Sequence, residues 1–169
     1  MKLVLLGYMG CGKSAISNAL ANSLNLKRID LDDYIETKEG KTIADIFKEN
    51  GEIYFRKLET TCLLELLDNE EAFILSLGGG TPCFGKNMEI INQKSISVYL
   101  SANIPTLVSR LLPEKAKRPL IARIADEELA EFIGKHLFER RHFYLQAKIA
   151  VSVDDKPVQT IANEIVSAL

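Results

Sequence analysis

The chain has 169 residues, 47% of them hydrophobic and 26% charged, enough for one core without disulfide or metal staples. Its 21 basic and 23 acidic residues leave a net charge of −2, so there is no basic field for a nucleic-acid backbone and no nucleic-acid partner is expected. No apolar run approaches the ~20 residues needed to span a bilayer, which sets aside a membrane partner. The first predicted element is the apolar run Leu3–Leu6, which reads as a strand buried on both faces. It runs into Gly7-Tyr8-Met9-Gly10-Cys11-Gly12-Lys13-Ser14, a GxxxxGKS loop, and then into a helical pattern over 13–24. Strand, glycine loop and helix form the context that makes this motif a phosphate cradle. Backbone N–H groups curl around phosphate oxygens, Lys13 reaches the outer phosphates, and Ser14 offers a hydroxyl to Mg2+. The loop stands where a cleaved leader would lie, so no leader is expected. Cys11, Cys62 and Cys83 lack metal-ligand spacing and read as free thiols of a reducing cytoplasm, with Cys11 filling space in the loop.

A second strand is predicted at Lys27–Asp30, leading into Asp30-Leu31-Asp32-Asp33. If the chain stays extended there, Asp30 and Asp32 share one face at the mouth of the sheet. One carboxylate then organises hydrated Mg2+ and the other orients an attacking hydroxyl. The competing reading is a helix cap, with Asp32 or Asp33 at the N-terminus of a following helix. Helical patterns follow at 42–50 and 52–68, the second burying Phe55, Leu58, Cys62 and Leu66 with Arg56 and Glu59 on its flank. Those two either pair on the surface or present a guanidinium fork to a substrate carboxylate. A third strand at Ala72–Leu77 ends in Ser76-Leu77-Gly78-Gly79-Gly80, with Ser76 near the place where many phosphate-loop proteins carry an acid. Three consecutive glycines suggest backbone brought close to a ligand, or a plain strand-ending turn.

The remaining pattern is a helix at 86–93, a strand at Ile96–Leu100, helices at 104–112 and 127–145, a strand at Ile149–Val153 and a helix at 157–168. Between 112 and 120 lies a polar, proline-flanked loop in which Arg118 could swing over phosphates, or simply be solvated. Arg140-Arg141 reads as surface charge or an anion clamp, and His136 and His142 as surface or helix-flank residues. Five strands alternating with helices predict an α/β fold around a parallel sheet, with ligands at the carboxyl ends of the strands.

In order along the chain, Gly7–Ser14, Asp30-Leu31-Asp32, Thr42–Phe47, Gly51-Glu52, Phe55–Glu59, Ser76–Gly80, Arg118-Pro119-Leu120 and Arg140 with Tyr144 resemble the shikimate kinases. The resemblance implies a single domain over 1–169, a three-layer α/β/α fold with strand order 2-3-1-4-5, and a mobile lid at about 112–124. It implies an enzyme of aromatic amino-acid biosynthesis that transfers the γ-phosphate of ATP to the 3-hydroxyl of shikimate; nothing in the sequence demands a partner protein, so a monomer is the default expectation, and the thiols point to the cytoplasm. On that basis Asp32 holds the hydroxyl, and Arg56 and Arg140 grip the carboxylate with Glu59 beside them. Gly78, Gly79 and Gly80 meet the substrate through backbone, and Phe47 and Phe55 line its apolar side. Gly10, Cys11, Gly12, Lys13, Ser14 and Ala15 surround the ATP phosphates, Arg118 is the lid arginine, and Arg110 and Pro157 flank the adenine. Ser14 is implied as the Mg2+ ligand, with Asp30 and Ser76 in its water shell. The stretch Asp154-Asp155-Lys156-Pro157 is shorter and more acidic than the family's adenine loop. Gluconate or nucleotide kinases and a non-enzymatic nucleotide switch are the competing classes. The Phe-Arg-x-x-Glu and triple-glycine combination opposes the first, and the absence of a guanine signature opposes the second.

Overall fold

The computed structural model describes residues 1–169. Its strands are β1 (Lys2–Leu6), β2 (Lys27–Asp30), β3 (Phe73–Ser76), β4 (Ile96–Ser101) and β5 (Ile149–Ser152). They pair in parallel as one sheet of order β2-β3-β1-β4-β5. The most apolar strand takes the centre: Leu3, Val4, Leu5 and Leu6 are wholly buried, as a strand covered on both faces requires. Helices α1 (Lys13–Leu24) and α7 (Val158–Ser167) pack together on one face of the sheet, and α3 (Ile43–Asp68) and α4 (Asn87–Lys94) pack together on the other. Two further helices, α5 (Ile104–Leu111) and α6 (Leu129–Tyr144), lie against each other after β4. A single cluster of 37 buried residues forms the core. No helix is long and apolar enough to cross a membrane.

One expectation changes. The chain does not stay extended through Asp32, because α2 (Leu31–Glu39) begins immediately after Asp30. The Asp30 carboxylate caps it by accepting the Asp32 N–H at 3.0 Å, and Leu31 and Ile35, one turn apart, are buried beneath. The helices predicted at 42–50 and 52–68 are found, separated at Gly51, whose φ of 82° and ψ of 174° break the helix; the two together are labelled α3. Thr42 caps its start, accepting the Asp45 N–H at 3.1 Å. The segment predicted as a lid folds as a 3-10 turn, Leu112–Lys117, followed by tight turns. It is anchored by the wholly buried Ile121 and by Lys115, which donates to the Ile124 carbonyl at 2.7 Å and pairs with Asp126.

Candidate active site

The carboxyl ends of β1, β2 and β3 open into a cleft of about 700 Å³. On one wall stands the phosphate loop. Gly10 and Gly12 adopt φ of 82° and 96°, conformations that only glycine takes cheaply. Gly10 is also crowded, since a β-carbon there would lie 2.9 Å from Leu111 Cγ. Lys13 folds back over the loop, its ammonium donating to the Gly7 and Tyr8 carbonyls at 2.8 and 3.2 Å. Arg110 reaches from α5 to donate to the Gly10 and Cys11 carbonyls at 3.4 and 3.2 Å, and to Val153 at 3.4 Å. Gly10, Gly12, Lys13, Ser14, Ala15 and Arg110 all line the cleft, and Arg118 lies across it, tied to Glu114 at 3.0 Å. Cys11 is wholly buried under the loop, the space-filling role read from the sequence.

Asp30 and Asp32 line the same cleft even though a helix cap separates them. Asp32 lies deep in it, and burial together with the Asp30 and Glu59 carboxylates lifts its pKa to about 6, against a smaller pull from Lys13. A carboxylate poised near neutrality beside a phosphate loop suits proton transfer from a hydroxyl.

The third wall is the glycine run, where an added side chain would crowd the tips of neighbouring side chains and not strain the backbone torsions. None of the three has a positive φ. A β-carbon on Gly78 would lie 3.2 Å from Asp32 Oδ1, one on Gly79 3.0 Å from Arg140 Nη1, and one on Gly80 2.6 Å from Arg56 Nη2. Tyr144, wholly buried on α6, donates to the Gly79 carbonyl at 2.7 Å and fixes the wall from behind. Arg56, Gly80 and Arg140 border an adjoining hollow of about 270 Å³, so two guanidinium groups face one small space. Glu59 is not a flanking surface residue. It is 1% exposed and accepts from Arg56 Nη1 at 2.7 Å. Phe47 and Phe55 stack at 4.6 Å between centroids, with the Arg56 guanidinium carbon 5.3 Å from the Phe55 ring. Phe55 is buried and Phe47 half-buried, so the pair backs Arg56. Pro157 is not brought to the cleft; it is exposed at the N-cap of α7.

One contact carried no local signal. Tyr8, in the phosphate loop, has its hydroxyl 2.9 Å from Nδ1 of His136, 128 positions away on α6 and one turn before Arg140. His136 is therefore a half-buried partner of the loop, with burial lowering its pKa and raising that of Tyr8 to about 12.

The residues present fit Mg2+. No cluster of three or more His, Cys, Asp or Glu side chains forms a protein cage. Mg2+ takes one or two protein oxygens and fills its octahedron with water and phosphate, and Ser14 and Asp30 at the phosphate wall are of that kind. Ser76, paired in register with Asp30 across β2 and β3, has a buried hydroxyl with no protein partner. Such a group suits a coordinated water.

A family model described as shikimate kinase matches residues 9–169. The chain belongs to the shikimate kinase family. It is 47% identical to a shikimate kinase of Flavobacterium johnsoniae over 169 residues, covering 99% of this chain and 98% of that protein. Among solved structures, a shikimate kinase from Bacteroides thetaiotaomicron superposes with a TM-score of 0.92 at 36% identity, covering 99% of this chain and 97% of that one. A shikimate kinase from Acinetobacter baumannii in complex with shikimate gives 0.87 at 31%, covering 99% and 91%. For a shikimate kinase, the crowded glycine wall has a direct consequence. Gly80→Ala, whose φ of −86° suits alanine, acts only by pushing on Arg56. Overpacking of this kind costs about 1–3 kcal/mol, so the KM for shikimate is expected to rise roughly 10- to 100-fold. The KM for ATP stays within about twofold. Steady-state kinetics with each substrate varied in turn check this, and an unchanged KM for shikimate would show that Arg56 need not keep its place.

Proposed function

We propose that this chain transfers the γ-phosphoryl group of ATP to the 3-hydroxyl of shikimate, giving shikimate 3-phosphate and ADP. The observation that carries the reading is the arrangement of Asp32 between a phosphate loop and a pair of arginines, all against one glycine wall. Lys13, at the N-terminus of α1, exchanges its loop carbonyls for the outer phosphate oxygens. Arg56 and Arg140 bind the shikimate carboxylate, and the backbone of Gly78–Gly80 lets the ring lie close. That docking brings the hydroxyl to Asp32. As the substrate oxygen bonds to the γ-phosphorus, the bond to the ADP oxygen breaks and the hydroxyl proton passes to the Asp32 carboxylate. Arg118 offsets charge on the transferring group, and closure of residues 112–124 over it excludes water. Ser14, with Asp30 and the unpartnered Ser76 hydroxyl behind it, would hold Mg2+, which would supply neutralising charge to the phosphates.

All the named side chains come from one copy, which supports a single domain acting as a monomer. Three unpaired thiols support a reducing, cytoplasmic setting, and the slight negative charge supports work on small molecules without nucleic acid. A coupled assay for ADP release with MgATP tests the reading. ADP should appear only when shikimate is added, and no shikimate-dependent turnover would overturn the assignment.

A further inference from the structure

Arg56 lies on a circuit of close polar contacts that begins and ends on itself, with the single Thr60 proton serving either of two acceptors. Its Nη1 donates to Glu59 Oε2 at 2.7 Å, and the other Glu59 oxygen, Oε1, accepts the Thr81 hydroxyl at 2.5 Å. The Thr81 carbonyl accepts Asn87 Nδ2 at 2.9 Å, Asn87 Oδ1 lies 3.0 Å from the Thr60 hydroxyl, and that hydroxyl also lies 3.0 Å from the Arg56 carbonyl. The circuit joins α3, the 3-10 turn Thr81–Cys83 and α4. Glu59 is 1% exposed, and Thr81 and Asn87 are wholly buried. A buried carboxylate needs a donor at each oxygen, and Thr81 is the sole donor to Oε1. Without it, Glu59 is free to turn both oxygens toward Arg56 and draw the guanidinium off its line. With it, Glu59 accepts from Nη1, and the guanidinium stays against Gly80 at the border of the hollow.

We propose that Thr81 is a positioning residue for acceptor recognition: with its backbone carbonyl held by Asn87, its hydroxyl locks Glu59 so that Arg56 is presented to the substrate carboxylate. This rests on the reading of Arg56 as a carboxylate partner. Thr81 touches no reacting atom, so its loss should appear in acceptor binding and not in the chemical step.

The test compares wild type, Thr81→Val, Thr81→Ala and Thr81→Ser on shikimate and on its carboxamide, which keeps the hydroxyls and lacks the charge. Wild type should prefer shikimate strongly. Thr81→Val, close in shape but without the hydroxyl, should raise the KM for shikimate about tenfold. Its kcat and KM for ATP should stay within about threefold, and its KM for the carboxamide should be nearly unchanged. Thr81→Ser restores the donor and should restore wild-type behaviour. Thr81→Ala repeats the loss without the extra methyl, so agreement between the Val and Ala variants separates the missing hydroxyl from altered packing. If wild type does not distinguish shikimate from the carboxamide, the carboxylate reading itself fails. If wild type distinguishes them and the Val and Ala variants keep the full preference, or if Ser behaves like Val, the role of Thr81 fails.

Discussion

Asp32→Asn is expected to lower kcat by about 10²- to 10⁴-fold, the span that a positioned general base contributes. The KM for ATP should hardly move, because the phosphate loop and Arg110 are untouched. Asparagine keeps the shape of the side chain against Gly78, where space is tight, but cannot accept the hydroxyl proton. The same substitution should stabilise the protein at neutral pH. Burial raises the Asp32 pKa to about 6 in the folded chain, against an ordinary value near 3.9 when unfolded. Between about pH 4 and 6 the folded state therefore holds a proton that the unfolded state has released. The contribution of this group is full below pH 4 and is lost as pH rises through 6. At pH 7.5 the ionised carboxylate costs up to about 3 kcal/mol, and Asp32→Asn removes that cost. Thermal melts should show Asp32→Asn above wild type at pH 7.5 and level with it near pH 4. In wild type, kcat/KM for shikimate should fall tenfold per pH unit below about 6. A variant that is neither inactive nor stabilised would remove Asp32 from its assigned place.

The two arginines should separate by a different pair of measurements. On the proposed reading Arg56→Ala and Arg140→Ala each remove a charge-assisted contact to the acceptor, and each is expected to raise the KM for shikimate by roughly 10²-fold. Only Arg56 has a buried carboxylate as its partner. Its removal strands Glu59 without its counter-charge, which costs about 3–5 kcal/mol. Arg140 forms no ion pair with a carboxylate, so its loss should leave stability nearly level. Urea denaturation beside steady-state kinetics reads both. Equal destabilisation by the two variants would contradict the burial of the Arg56–Glu59 pair.

Much of this site was legible because its signals are local. The apolar run before Gly7, the glycine spacing to Lys13 and the amphipathic periods fall within short windows, and β2 and α1 have the predicted bounds. Resemblance supplied the sheet order and the pairing of Arg56 with Arg140, which no window of the chain contains. What stayed hidden was set by long-range packing. Whether Asp32 continues a strand or opens a helix depends on the Asp30 carboxylate turning back to its N–H, a choice that the pattern left open. Glu59 looked like a surface partner because Arg56 is three residues away, and only the approach of Thr81 shows that it is buried. The Tyr8–His136 contact spans 128 positions and has no periodic trace.

The glycine wall has a bearing on how such an enzyme changes its substrate range. Gly78, Gly79 and Gly80 already carry no side chain, and Asp32, Arg140 and Arg56 press against them. On that side there is no volume left to give up, and every mutation away from glycine subtracts room. A lineage or a designer seeking a bulkier acceptor must therefore find room at the other residues around the cleft. Adaptation of acceptor size is thus directional: narrowing is one substitution away at any of three codons, and widening must come from elsewhere in the site.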